Sequence, residues 1–89
     1  MVYILAHMKV KDYGSWRSVF NELAESRRAH GEKSSQVFQS AENPNDITIL
    51  FEWESAEKMR QYMQSDELKA ARERAGAIGE PVVHVLNKI

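Results

Sequence analysis

Two histidines and a glutamate carry most of the chemistry this sequence offers. His7 lies in "MVYILAHMKV", His84 in "PVVHVLNKI" and Glu52 in "ILFEWE". Neutral histidines accept and return protons near pH 7, which is the work of a general acid or base. A carboxylate held among apolar side chains is a second base candidate. If the first and last strands are neighbours, His7 and His84 stand opposite or diagonal to each other on one face, with Thr48 nearby. Tyr3 and Tyr62 supply hydroxyls that can orient a substrate beside them. Two histidines also begin a metal site, but no third ligand stands close in the pattern, so no metal is expected. The plainer alternatives are half-buried structural histidines and, for Glu52, a salt bridge or a solvated strand end.

The elements that must position these groups follow from periodicity. Residues 2–10 alternate as a strand, with Val2, Ile4, Ala6, Met8 and Val10 on one face and Tyr3, Leu5, His7 and Lys9 on the other. Asp12 caps a helix in which Trp16, Val19, Phe20, Leu23 and Arg27 recur at helical spacing, and Gly31 stops it. Residues 33–40, "KSSQVFQS", form a polar strand suited to a sheet edge. "AENPND" closes a hairpin, and residues 46–54 alternate again. Ser55 caps a second helix with Met59, Tyr62 and Met63 inward, and Ser65-Asp66 offers a second cap that breaks it before Leu68. "GAIGEP" ends the helical region and "PVVHVLNKI" is the last strand.

The order β-α-β-β-α-β predicts a ferredoxin-like α+β domain over residues 1–89. Both crossovers should be right-handed, placing both helices on one face of a four-stranded antiparallel sheet. By strand parity Trp53 packs under the second helix, so its plain reading is core. The other sheet face, with Tyr3, Leu5, His7, Gln36, Phe38, Thr48, Leu50, Glu52, His84 and Leu86, has no helix to cover it. A half-apolar face of that kind fits an interface.

Bulk properties narrow the classes. The chain has 89 residues and no cysteine, which excludes disulfides and thiolate metal sites. A core this small gains from oligomerisation, so a homodimer is expected. Twelve basic and thirteen acidic residues give no electrostatic case for nucleic acid. The apolar N-terminus is too short to span a membrane and lacks the marks of a leader, so the expected location is cytoplasmic. Phosphate-binding loops, dinucleotide fingerprints and nucleophile elbows are absent.

The segment "FEWESAEKMRQYMQSDELKAAR" resembles the strand-to-helix signature of the antibiotic biosynthesis monooxygenase-like family, within the dimeric α+β barrel superfamily. Glu52, Trp53, Ser55, Glu57, Tyr62 and Ser65 occupy the matching places. The resemblance implies a homodimer with a pocket for a small apolar or aromatic ligand. It also implies activities of the group: cofactor-free quinol oxygenation, haem degradation, isomerisation or a cyclase-like reaction. Tyr62 and Arg72 stand where haem-degrading relatives carry a tryptophan and an iron-ligating histidine. Arginine has no lone pair to give iron, so haem is not expected and no cofactor is called for. An asparagine used by several oxygenases of the group is missing near the end of the first strand, where His7 is the nearest polar residue.

Two functions follow from different classes. One is a cofactor-independent monooxygenase or cyclase-like enzyme acting on an aromatic or quinone-like molecule, with His7, His84 and Glu52 moving protons and Tyr3, Thr48 and Tyr62 binding substrate. The other is a non-catalytic dimeric module that binds a small ligand or a protein.

Overall fold

The computed structural model describes residues 1–89. In chain order the elements are β1 (Val2–Val10), α1 (Tyr13–Glu22), α2 (Ala24–His30), β2 (Glu32–Gln39), β3 (Asp46–Trp53), α3 (Ala56–Met63), α4 (Asp66–Ala75) and β4 (Ala77–Leu86). The four strands form one antiparallel sheet in the order β2-β3-β1-β4, open at both edges. The ferredoxin-like α+β class is therefore observed, with each crossover helix divided in two.

Local chemistry sets most boundaries. The backbone N–H of Ser15 donates to the Asp12 carboxylate at 2.9 Å, opening α1. Ser55 accepts from the Lys58 N–H, and Ser65 accepts from the Leu68 N–H, each at 3.2 Å. Both bonds satisfy donors that a helix start leaves unpaired. The expected break at Ser65 is present, between α3 and α4.

Two boundaries differ from expectation. The first helical segment is not continuous to Gly31: at Leu23, with φ −86° and ψ 1°, the turn opens and α2 begins anew. The ladder carries across, since Leu23 N–H donates to Val19 O and Arg27 N–H to Leu23 O. Apolar spacing continues through such an opened turn, so periodicity alone does not reveal it.

The last strand starts at Ala77 rather than Pro81 and ends at Leu86, leaving Asn87–Ile89 outside it. Gly76, in the left-handed conformation at φ 75°, ends α4 at once. Ala77 and Ile78 then pair with Val10 and Lys9. The register slips before Val82 meets His7, so two steps along β1 face four along β4. Gly79 (φ 68°) and Pro81 lie in that bulge, where a missing N–H and a positive φ are both tolerated.

Side-chain parity is as expected. Ile4, Ile47, Ile49 and Trp53 are the largest fully buried side chains, all on the helix-facing side. One apolar cluster joins Val10, Trp16, Val19, Ile47, Ile49, Ala71 and Ala75; another joins Ile4, Trp53, Met59 and Tyr62. Val85, opposite Ile4 on the helix-facing side, is 40 % exposed, because β4 is an edge strand that α3 and α4 only partly cover. No helix is long and apolar enough to cross a membrane.

Candidate active site between the sheet and the helices

The residues singled out by type separate onto two sides of the sheet. Five lie on the face without helices. His7 stands opposite Thr48 on β3 and Val82 on β4. His84 stands opposite Leu5, which puts the two histidines diagonal to each other. Glu52 is opposite Tyr3, near the far end of the same face. The Nε2 of His7 is hydrogen-bonded to Oδ1 of Asp46, a partner the sequence reading did not foresee. His7 is half exposed, and His84 is exposed. Tyr62 lies on the opposite side, under the helices, only 2 % exposed.

That helix-side region holds a cavity of about 90 Å³, bounded by the sheet, α1, α2, α3 and α4. Eighteen of its twenty-one lining residues are hydrophobic, so it favours apolar matter over water. Tyr62 lines it; His7, His84, Glu52, Tyr3 and Thr48 do not. Five of the lining residues, Trp16, Phe20, Phe51, Trp53 and Tyr62, are aromatic. Trp16 stacks on Phe20 at 4.9 Å between ring centroids, and Trp53 lies 5.8 Å from Tyr62. Half-buried Met63, Leu68, Arg72, Pro81 and Val83 form the rim, beside a second, shallower groove between α3 and β4.

Two polar atoms in this wall have no partner. The indole Nε1 of Trp53 and the hydroxyl of Tyr62 are both buried without a hydrogen bond. Leaving such a group unmet costs about 1–3 kcal/mol; neither atom opens on the cavity, whose lining is almost wholly apolar. Burial pushes the Tyr62 phenol above its ordinary value of 10.0. The Ser26 hydroxyl nearby pulls the other way: it donates to the Glu67 carboxylate and its lone pairs stay open to the phenol, so Tyr62 has an acceptor within reach on α2. Tyr62 thus remains a neutral hydrogen-bonding phenol across the physiological range.

The one charge fully inside this wall is neutralised in place. Arg27 is 6 % exposed, and its Nε–H donates to Glu32, itself 5 % exposed, at 2.5 Å. Its Nη1 donates to the Phe20 carbonyl at 2.6 Å, while the guanidinium carbon stands 3.7 Å from the Phe20 ring centre. A buried charge needs both a counter-ion and filled hydrogen bonds, and this pair has them. At the rim, Arg72 donates to Gly79 O at 2.7 Å and lies 3.5 Å from Glu80. Arg72 therefore ties α4 to the β4 bulge.

Sequence reasoning passed over Trp53 and Arg27. Parity placed Trp53 in the core, correctly, but could not show that its N–H lacks a partner there. Arg27 fell within the helix pattern as a basic residue near a helix end, and the buried acid five positions on was the available signal.

The sequence matches the family described as antibiotic biosynthesis monooxygenase over residues 1–74. The chain belongs to that family. Among solved structures, a provisionally named antibiotic biosynthesis monooxygenase from Bordetella bronchiseptica superposes with a TM-score of 0.81 at 20 % identity, covering 99 % of this chain and 96 % of that one. A conserved protein from Methanosarcina mazei Go1 gives 0.75 at 22 % identity, covering 99 % and 92 %. SnoaB, a cofactor-independent oxygenase from Streptomyces nogalater, gives 0.75 at 14 % identity, covering 99 % and 94 %. At these identities the likeness is one of fold. No curated protein matches the sequence.

Proposed function

We propose that residues 1–89 act as one domain, a cofactor-independent oxygenase whose substrate is a small phenolic or quinol-like molecule held in the helix-side cavity. The observation that carries this reading is an apolar space between sheet and helices into whose wall the rings of Trp16, Phe20, Phe51, Trp53 and Tyr62 are built. Such a space suits an apolar ring with an oxygen function to orient it. Family membership and the activity of SnoaB support the reaction type.

In such a reaction dioxygen takes four electrons in all from the substrate itself, and the two hydrogens the substrate loses leave in water. One oxygen atom ends as a new ring carbonyl and the other leaves as water, which balances conversion of a phenol to a quinone. The rings of Trp53 and Tyr62 would pack against the substrate ring and fix its orientation as it gives up its proton and electrons. The surrounding apolar wall keeps bulk water away from the reactive intermediate.

The exposed sheet face supports a homodimer. Phe38 and Val82 are each 52 % exposed and Leu86 is 42 % exposed, all on that side. Two such faces packed together would bury them and complete an α+β barrel. A second reading places proton transfer between those faces, at His7, His84 and Glu52 with Tyr3 and Thr48. The bond from His7 to Asp46 favours it, since a carboxylate fixes an imidazole for that work. A cytoplasmic location fits either reading.

Oxygen uptake by chelator-treated protein, offered a panel of phenols and quinols in ¹⁸O₂, tests the proposal. One ¹⁸O per product molecule is expected. Absence of uptake across the panel, or a product without label, would overturn it.

A further inference from the structure

We infer that the substrate ring carries an apolar chain ending in a carboxylate, the ring lying in the cavity and the carboxylate outside it on Arg60. This inference rests on the helix-side cavity being the binding site, as proposed above, and adds the group that meets its mouth.

Continuity comes first. The cavity is about 90 Å³ and the groove between α3 and β4 about 270 Å³, and Met59, Met63 and Val83 line both. A molecule seated against the sheet therefore continues outward past these three side chains. Met59 is buried, whereas Met63 and Val83 are half-buried, so exposure rises along the route. Methionines are unbranched and shift readily to admit such a chain.

Polarity changes along the same route. Inside, the lining is almost wholly apolar, and the buried Arg27 is already paired to Glu32. In the groove, two of the six lining residues are polar, Arg60 and Gln64. Arg60 lies on α3 and Gln64 caps its end one turn later, so both share a side of the helix, across from Val83 and Val85 of β4.

Charge selects the end group. Arg60 is exposed, and none of the ion pairs in the structure includes it, not even with Glu57 one turn earlier. Arg72, elsewhere on the rim, is engaged by Gly79 O and Glu80. Arg60 is thus the cation of the groove that lacks a counter-ion. Its planar fork matches a carboxylate through two parallel N–H···O bonds, and the Gln64 amide offers a further donor. Deeper in, a carboxylate would lose its hydration without return, so a spacer must separate it from the ring.

Calorimetric titration with phenylbutanoate (ring at the far end of the chain), its amide, benzoate and butanoate tests this. Phenylbutanoate should bind about two- to fivefold tighter than its amide at low salt, the range of an exposed ion pair. That preference should vanish by about 1 M NaCl. Benzoate, which lacks the spacer, and butanoate, which lacks the ring, should each be weaker by roughly tenfold or more. Arg60→Gln, at an exposed position, should bind acid and amide equally, with the wild-type affinity for the amide. Equal affinity for acid and amide in the wild type would overturn the inference, as would an acid preference that survives Arg60→Gln, or no binding of either. Oxygen uptake with the hydroxyphenyl forms of acid and amide at equal KM would sink this inference and leave the oxygenase reading standing. Arg60-dependent binding of the acid without any oxygen uptake would do the reverse.

Discussion

Trp53 and Tyr62 face each other across one wall of the cavity, ring centroids 5.8 Å apart, and both keep their polar atoms without a partner. Trp53 ends β3 and Tyr62 lies on α3, so the pair spans the strand-to-helix joint of the second crossover. Packing explains why the rings are there.

Removing the Tyr62 hydroxyl should not destabilise the protein in the way loss of a bonded group would. Tyr62→Phe is expected to leave the urea midpoint unchanged or raise stability by about 1 kcal/mol, because an unsatisfied buried group disappears. A loss of 2 kcal/mol or more would mean that the hydroxyl has a partner in the unliganded protein (about the cost of breaking a good buried bond).

The same residue sets an alkaline limit. The phenol ionises near 10 when unfolded and higher when folded, because burial disfavours the anion. Above the unfolded value the unfolded chain loses a proton that the folded chain keeps. The stability linked to Tyr62 is therefore complete below about pH 10 and falls as pH rises further. Chemical denaturation on either side of that value should show a smaller decline in Tyr62→Phe than in the wild type. Identical declines would contradict the account.

Arg27 and Glu32 should behave as a unit. Arg27→Met leaves Glu32 buried and uncompensated, and is expected to cost about 3–5 kcal/mol by urea unfolding. Adding Glu32→Leu should restore much of that loss. If the single substitution cost under about 1 kcal/mol, the pair would not be the buried anchor described.

Gly31 joins α2 to β2 with φ 127°, a value other residues rarely adopt. A Cβ there would stand 3.2 Å from Lys58 Cδ and 3.4 Å from Trp53 Cε3. Gly31→Ala is expected to destabilise by about 1–3 kcal/mol through backbone strain, read as a fall in midpoint at constant slope.

Most of the fold was legible because its signals are local. Alternation in residues 2–10 and 46–53, the caps at Asp12, Ser55 and Ser65, and the glycine stops at 31 and 76 each act within a turn of chain. The opened turn at Leu23 and the bulge at Gly79–Pro81 were not, since register depends on a partner strand or a neighbouring helix. The cavity was less legible still. Strand parity told that Trp53 points inward and helical spacing that Tyr62 does, but whether an inward polar atom finds a partner is decided by every element around it. Histidines draw attention by type, and the cavity lies on the opposite side of the sheet from both.

The dimer can be tested apart from the site. Phe38→Asp with Val82→Asp places charge on exposed apolar positions of the open face, so the monomer fold should persist by circular dichroism. Sedimentation at micromolar concentration should show a dimer for the wild type and a monomer for the variant. A monomeric wild type would remove the proposed barrel.

The measurement that bears most directly on where the chemistry sits is a phenol titration followed by NMR on labelled protein. The helix-side account predicts that the Trp53 indole N–H, Ala71 methyl and Met59 methyl signals shift with a common saturation curve. Signals of His7, His84 and Phe38 should stay in place. Shifts centred on those three, with the Trp53 indole unmoved, would contradict the account and move the site to the open face.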